Sequence, residues 1–263
     1  MKKVTAIVGT ASRKHTYLAA RQFLDNLRSL GDVETEIVTL SDFTIGTCRT
    51  CKLCLTKGEE ACPIKDDRDV LIAKMMTSDG VVFASPNLSF QVSGLMKVFL
   101  DRLGFVFHRP RFFGKASTSI VPQGIFGGRK IVSYFHFIGK GMGFNPVRGV
   151  CFTALDPMAE TEKRKMDRSL AKLSRRFYKK LVGPAYPWPG WLYFTAFHSG
   201  RTKMRLELDE TNFDYRYYRN KGWFESDYYY PTRLGSLKKT AGRLIDSFQK
   251  RQTKRRRSSQ APS

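Results

Sequence analysis

Two short apolar runs, Lys3–Val8 and Gly80–Ala84, constrain this chain more than any other feature. Each stops at a turn signal, Gly9-Thr10-Ala11-Ser12 after the first and Ser85-Pro86-Asn87 after the second. A continuous apolar run of strand length reads as a strand buried on both faces, which needs helices above and below it. Helical spacing follows each run. One helix is predicted from about Lys14 to Leu30; the other opens at Ser93, a capping residue, and carries Leu95, Met96, Phe99, Leu100 and Leu103 on one side.

The alternation continues along the chain. Val33–Leu40 alternates as a strand does, Asp66–Met76 reads as a helix, and Thr118–Val121 as a strand. Gly127–Lys140 reads as a helix, Gly149–Ala154 as a strand, and Met158–Leu181 as a long basic helix. Five β-α units predict a parallel sheet covered by helices on both faces. Ligands of such sheets sit where loops leave the carboxyl ends of the strands, here Gly9–Thr16, Ser85–Ser93 and Pro122–Gly128.

Residues 1–183 form this predicted domain. A Pro-interrupted linker, Gly183–Gly190, then leads into an extension over 184–248, with aromatics crowded at 212–230 and a short helix at Leu234–Phe248. The basic segment 249–263 has the composition of a disordered tail. No apolar run approaches the ~20 residues of a membrane span. The apolar start is too short for a secretory leader, and four of the five cysteines crowd into Cys48–Cys62, unlike a secreted disulfide framework. A cytoplasmic address is expected.

Lys and Arg number 46 against 23 Asp and Glu, a net charge of +23. A polyanion-binding protein is therefore the competing reading, with nucleic acid as partner. Against it, Asp214, Glu225 and Asp227 interrupt the aromatic stretch and would repel phosphates. Packing of the rings on the core or on a second subunit explains them better.

The first loop brings together Thr10, Ser12 and Thr16, the cations Arg13 and Lys14, and a helix N-terminus. That chemistry suits a monophosphate, although an ordinary polar turn has the same composition. The loop has neither a G-x-G-x-x-G pattern nor a G-K-[ST] ending, so it supports neither a wrapped dinucleotide nor a triphosphate. The second loop, through Ser85, Pro86, Asn87, Leu88, Ser89 and Phe90, offers amides, small polar groups and one ring to the edge of a flat heteroaromatic.

Together, Gly-Thr-Ala-Ser-Arg-Lys-x-Thr after the first strand and Ser-Pro-Asn-Leu-x-Phe-x-x-Ser-Gly-x-Met-Lys-x-Phe-Leu-Asp-Arg after the third resemble the NAD(P)H-dependent FMN reductase and iron–sulfur flavoprotein group. The resemblance covers roughly residues 3–155 and implies a flavodoxin-like fold, a five-stranded doubly wound parallel sheet of order 2-1-3-4-5. It also implies FMN, with its phosphate at Thr10, Ser12, Arg13, Lys14 and Thr16 and its ring against Ser85–Phe90. Gln123 and Gly124 stand where the family's third flavin loop lies. The first loop usually reads Gly-Ser-Pro-Arg-Lys in that group; here the middle differs but hydroxyl and cation remain. The implied function is an FMN oxidoreductase that takes hydride from NAD(P)H and passes electrons to a flavin, a quinone or an electron-transfer protein. No Ser/His/Asp or Cys/His arrangement at motif spacing is present, so no catalytic side chain is assigned. A homodimer, with 212–230 in the contact, is expected.

Cys48, Cys51, Cys54 and Cys62 follow C-x2-C-x2-C-x7-C-P. Compact thiol spacing of this kind suits a 4Fe-4S cluster, as in the iron–sulfur flavoproteins that the sequence resembles; it also suits four-thiolate zinc or a metal-free thiol loop. Cys151, in a predicted buried strand, is expected in the core.

Overall fold

The computed structural model describes residues 1–260, with side chains through Arg256. Six parallel strands form one sheet: β1 (Lys2–Val8), β2 (Val33–Thr39), β3 (Gly80–Ala84), β4 (Ala116–Gln123), β5 (Asn145–Pro146) and β6 (Val150–Thr153). The order is β2-β1-β3-β4-β5, and β6 continues the same edge beside β4. The expected fifth strand, Gly149–Ala154, is present as β6, and the two-residue β5 precedes it on the same edge. Val147 N–H still donates to Ser117 O at 2.7 Å, but Pro146 has no N–H to give. A Cβ on Gly149 would sit 2.2 Å from Ser119 O, so the chain passes β4 at a distance that only glycine permits.

Side-chain alternation assigns the helices to faces. Val4, Ala6, Val82 and Ile120 pack with α1 (His15–Arg28) and α6 (Glu160–Leu181), where Phe23 and Phe177 meet edge to face at 5.6 Å. Phe83 has the opposite parity and stacks on Phe135 of α5 (Gly128–Gly141), also at 5.6 Å. All five residues of β3 are buried, as its unbroken apolar run requires. The basic helix α6 buries Met166, Leu170, Leu173, Phe177 and Leu181 along one face and leaves its cations in water.

The chain divides into two compact units. The first holds Met1–Arg49 and Ile64–Ala185; the second holds Thr50–Pro63 and the chain from Tyr186 onward. The second unit contains α2 (Leu53–Thr56), α7 (Trp191–Glu207), α8 (Phe213–Asn220) and α9 (Ser236–Gln260). In the first unit, α3 (Arg68–Thr77) and α4 (Gly94–Arg102) complete the helices.

One expectation is corrected in the second unit. Most of the segment expected as a disordered tail, 249–260, continues α9 as helix; 261–263 lie outside the described residues. Lys, Arg and Gln are good helix formers, and no Gly or Pro interrupts them before Ala261. Within the second unit, aromatics of 212–230 pack among themselves. Trp223 meets Tyr218 at 4.9 Å and Tyr229 at 4.8 Å, and Tyr218, Trp223, Phe224 and Tyr228 are buried.

Candidate functional site

The three loops leave one edge of the sheet because parallel neighbours end together. Val8 is in register with Ala84, and Ala84 with Ile120. The first loop starts at Gly9, whose N–H donates to Ala84 O at 2.8 Å. A Cβ there would fall 2.7 Å from Met96 Cβ and 2.8 Å from Ser93 Oγ, so only glycine lets the loop lie against the start of α4. Ser93 Oγ accepts from Met96 N–H at 3.2 Å as the N-cap of α4 and donates to the carbonyl oxygen of Gly9. Its backbone N–H donates to the buried Ser85 Oγ at 2.9 Å. One serine therefore ties the first loop to the second.

Thr10 Oγ1 accepts from Ser12 N–H at 3.1 Å, which bends the first loop back on itself. Ser12, Arg13 and Lys14 are exposed, Thr10 is half-buried, and Thr16 is buried in the first turn of α1. That helix starts with no side-chain cap and no acid in its first turn. Its leading N–H groups and dipole therefore present positive potential beside two cations. Lys14 Nζ lies 3.0 Å from Asp156 Oδ2 and holds that exposed carboxyl below its usual range.

The second loop is closed by Leu88 and Gln91, whose backbones exchange two hydrogen bonds of 2.9 Å. Between them Ser89 (φ 49°) and Phe90 (φ 62°) are both left-handed, the conformation of a type I′ turn. Phe90 comes to lie over Gly127 (φ 97°), where a Cβ would sit 2.7 Å from its ring. The Phe90 and Phe126 rings are 5.2 Å apart. Asn87 couples the second and third loops: its N–H donates to Pro122 O at 2.9 Å and its Nδ2 to Phe126 O at 2.8 Å. Its buried Oδ1 has no partner.

Gln123 organises the third loop. Its Oε1 accepts from Gly128 N–H at 2.8 Å and its Nε2 donates to Ile125 O at 3.2 Å, which leaves Gly124 exposed. Leu88, Phe90, Ile125 and Phe126 form an exposed apolar rim. Pro86 is half-buried behind it, and Ser89 is exposed at the turn. Ile125 and Phe126 were not singled out from sequence, and Ser93 was read only as a helix cap. Exposed apolar residues next to a glycine pair were the available signal.

A polar, cationic turn and an apolar rim, linked through the hydrogen bonds of Ser93 and Asn87, can seat a phosphate at one end and a flat ring at the other. The unpartnered Asn87 Oδ1 and the close approaches at Gly9 and Gly127 fit a planar, hydrogen-bonding group such as FMN.

The cysteine loop has a well-defined stem. Asp66 accepts from Gly46 N–H at 2.8 Å, Arg68 N–H at 3.2 Å and Arg102 Nη2 at 3.0 Å, while Asp67 accepts from Thr44 N–H at 2.7 Å. Burial opposes the Asp66 charge, but the Arg102 and backbone hydrogen bonds outweigh it and hold the carboxyl below its usual range. Beyond the stem the thiols differ in exposure. Cys51 is exposed, Cys48 and Cys54 are half-buried, and Cys62 is buried. Among the described residues no three His, Cys, Asp or Glu side chains converge as metal ligands. The expected ligand set for a cluster or zinc is therefore not assembled. Thr50 (φ 52°) and Lys52 (φ 60°), both left-handed, flank Cys51 and lead the chain into the short turn of α2. Cys151, expected as core, is half-buried on the edge strand, where it lines a cavity of about 260 Å³ with Arg129 and Arg148. Burial raises its thiol pKa against the pull of Arg129.

The sheet order and the loops at its carboxyl edge define a flavodoxin-like α/β protein. The chain matches the model of NADPH-dependent FMN reductase over residues 2–155 and belongs to that family. Among curated relatives, an iron-sulfur flavoprotein of Archaeoglobus fulgidus is 35% identical over 145 residues, 53% of this chain and 64% of the relative. Another, from Clostridioides difficile, is 29% identical over 175 residues, 64% of this chain and 72% of the relative. The chain thus spans less than two thirds of the Archaeoglobus relative's length. Two solved structures share the fold. A putative quinone reductase from Klebsiella pneumoniae has a TM-score of 0.54 at 18% identity, covering 72% of this chain and 88% of its own. RosB, crystallised with 8-demethyl-8-formylriboflavin-5'-phosphate, has a TM-score of 0.54 at 16% identity and covers 90% of this chain and 92% of its own. No helix among the described residues is long and apolar enough to cross a membrane.

Proposed function

We propose that this chain is an FMN-dependent NAD(P)H oxidoreductase whose acceptor is small: a free flavin, a quinone or an electron-transfer partner. The observation that carries the reading is the hydrogen-bonded union of the three loops through Ser93 and Asn87, with cations at one end and an apolar rim at the other. Thr10, Ser12, Arg13, Lys14 and the first turn of α1 would hold the phosphate, with Thr16 fixing that turn from inside. Asn87, the Ser85–Phe90 backbone, Gln123 and Gly124 would hold the ring edge, and Phe90 with Phe126 would exclude water from one side. Bound FMN supplies two-electron uptake from reduced nicotinamide and release to the acceptor. The protein side of that chemistry is orientation and desolvation, with no side chain needed as a nucleophile or general base.

The polyanion reading loses support because the rings it needs for stacking are packed inside the second unit. A 4Fe-4S cluster at the four cysteines rests on spacing and on the names of relatives, and no converging ligand set among the described residues supports it. Purification tests the main reading. The expected protein is yellow, releases FMN on denaturation, and loses its visible flavin band when NADPH is added anaerobically. A colourless protein that binds no added FMN would overturn it.

A further inference from the structure

Helix α9 packs on α7 with an inverted pattern. The face turned to α7 is polar: Lys238 and Thr253 are buried, and Asp246 receives Thr202 Oγ1 and Arg201 Nη2, each at 2.6 Å. Gly242 allows the approach, since a Cβ there would lie 2.5 Å from the His198 ring. The opposite face carries Leu237, Leu244 and Phe248, spaced i, i+7 and i+11 and therefore on one stripe. These side chains are 73%, 66% and 66% exposed. Trp188, Trp191 and Leu192 are also exposed beside the start of this helix. Lys238 Nζ sits 4.2 Å from the Trp188 ring centre and 5.2 Å from that of Trp191, and Trp188 Nε1 donates to Arg233 O at 2.8 Å. An apolar stripe on α9 and a Trp/Leu cluster at its N-terminal end thus lie open on one unit.

We propose that this surface docks on an anionic lipid bilayer, with α9 lying in the plane of the interface. Charge selects the occupant. Lys239, Arg243, Lys250, Arg251 and Arg255 accompany the stripe, against the one acid Asp246, which is turned to α7. Apolar side chains beside cations, with Trp at the margin, are what an interfacial helix displays: the apolar residues enter the acyl boundary and the cations meet headgroup phosphates. A second copy laid on the same stripe would oppose these cations with identical ones, on chains of net charge +23 each. Nucleic acid would satisfy the cations but leave Leu237, Leu244 and Phe248 without a role.

Flotation of the full chain with phosphatidylcholine vesicles, with and without phosphatidylglycerol, tests the proposal. The expected result is binding that requires phosphatidylglycerol, with a blue shift of emission from Trp188 and Trp191. The double variant Leu244→Asp/Phe248→Asp is expected to weaken vesicle binding about tenfold or more, with elution volume and flavin content unchanged. Failure to float with anionic vesicles would overturn the proposal. So would flotation undiminished in the double variant, which marks attraction by charge alone, or a wild-type dimer that this variant dissociates. Binding to duplex DNA that the same two substitutions abolish would also overturn it.

Discussion

Ser93 Oγ donates to the carbonyl oxygen of Gly9, two residues 84 positions apart that bring the loop after β1 onto the first turn of α4. This bond and the absence of a side chain at Gly9 are coupled, because a methyl group there would strike Ser93 and Met96.

Gly9→Ala is expected to destabilise the fold by about 1–3 kcal/mol, the usual cost of overpacking a close contact. Ser93→Ala removes the helix cap and the partner of Gly9 O, at about 1–2 kcal/mol. Denaturant midpoints at unchanged slope would measure both. Retained stability with lost FMN binding would instead mark a purely local role.

Arg13→Ala and Lys14→Ala separate phosphate recognition from ring recognition. Each is expected to weaken FMN about tenfold, the scale of one hydrogen bond to a charged group, and to leave riboflavin affinity almost unchanged. Fluorescence titration with the two flavins compares them directly. Equal losses for both would place these cations elsewhere than at the phosphate.

Cys51 is exposed on a loop that belongs to the second unit, whereas all three candidate flavin loops belong to the first. Cys51→Ala is therefore expected to keep full flavin content and an unchanged flavin spectrum. Flavin quantified after denaturation, alongside iron and acid-labile sulfide on anaerobically prepared protein, checks this.

Asp246 gives a pH signature. Burial opposes its charge, but hydrogen bonds from His198 and Thr202 and the Arg201 charge outweigh burial and hold its pKa at about 2. An unfolded aspartate titrates near ~3.9. The stabilisation from this depressed pKa is complete above that value and disappears as pH falls through the folded value. On this basis Asp246→Asn costs about 2 kcal/mol near neutrality, and the gap from wild type closes between about pH 5 and pH 2. Urea melts of both proteins across that range measure it.

The sheet order and the three loops could be read in advance because buried parallel strands have a short apolar signature and loops sit at their ends. Gly9-Thr10 and Ser85-Pro86-Asn87 punctuate those signatures directly. Other features depend on direction rather than pattern. The C-x2-C-x2-C spacing says which thiols are near in sequence, but left-handed Thr50 and Lys52 decide where Cys51 points. The break between β5 and β6 falls next to Gly149, whose close approach to Ser119 O only three-dimensional packing reveals. The basic end of α9 carries the charge of a disordered tail, yet its Lys, Arg and Gln residues favour helix. The partners of the aromatic stretch are set by Trp223 and Tyr218, which composition alone cannot pair.

Ser89 and Phe90 carry side chains in a turn whose two central positions suit Asn and Gly far better. Each residue held there costs of order 1 kcal/mol. An engineer who replaced the pair by Asn-Gly would expect a more heat-resistant protein and would obtain it. The same change would delete the Phe90 ring from the rim it shares with Phe126, so, on the function proposed for that rim, the most inviting place to stabilise this fold is also the place where stability and flavin retention would pull in opposite directions.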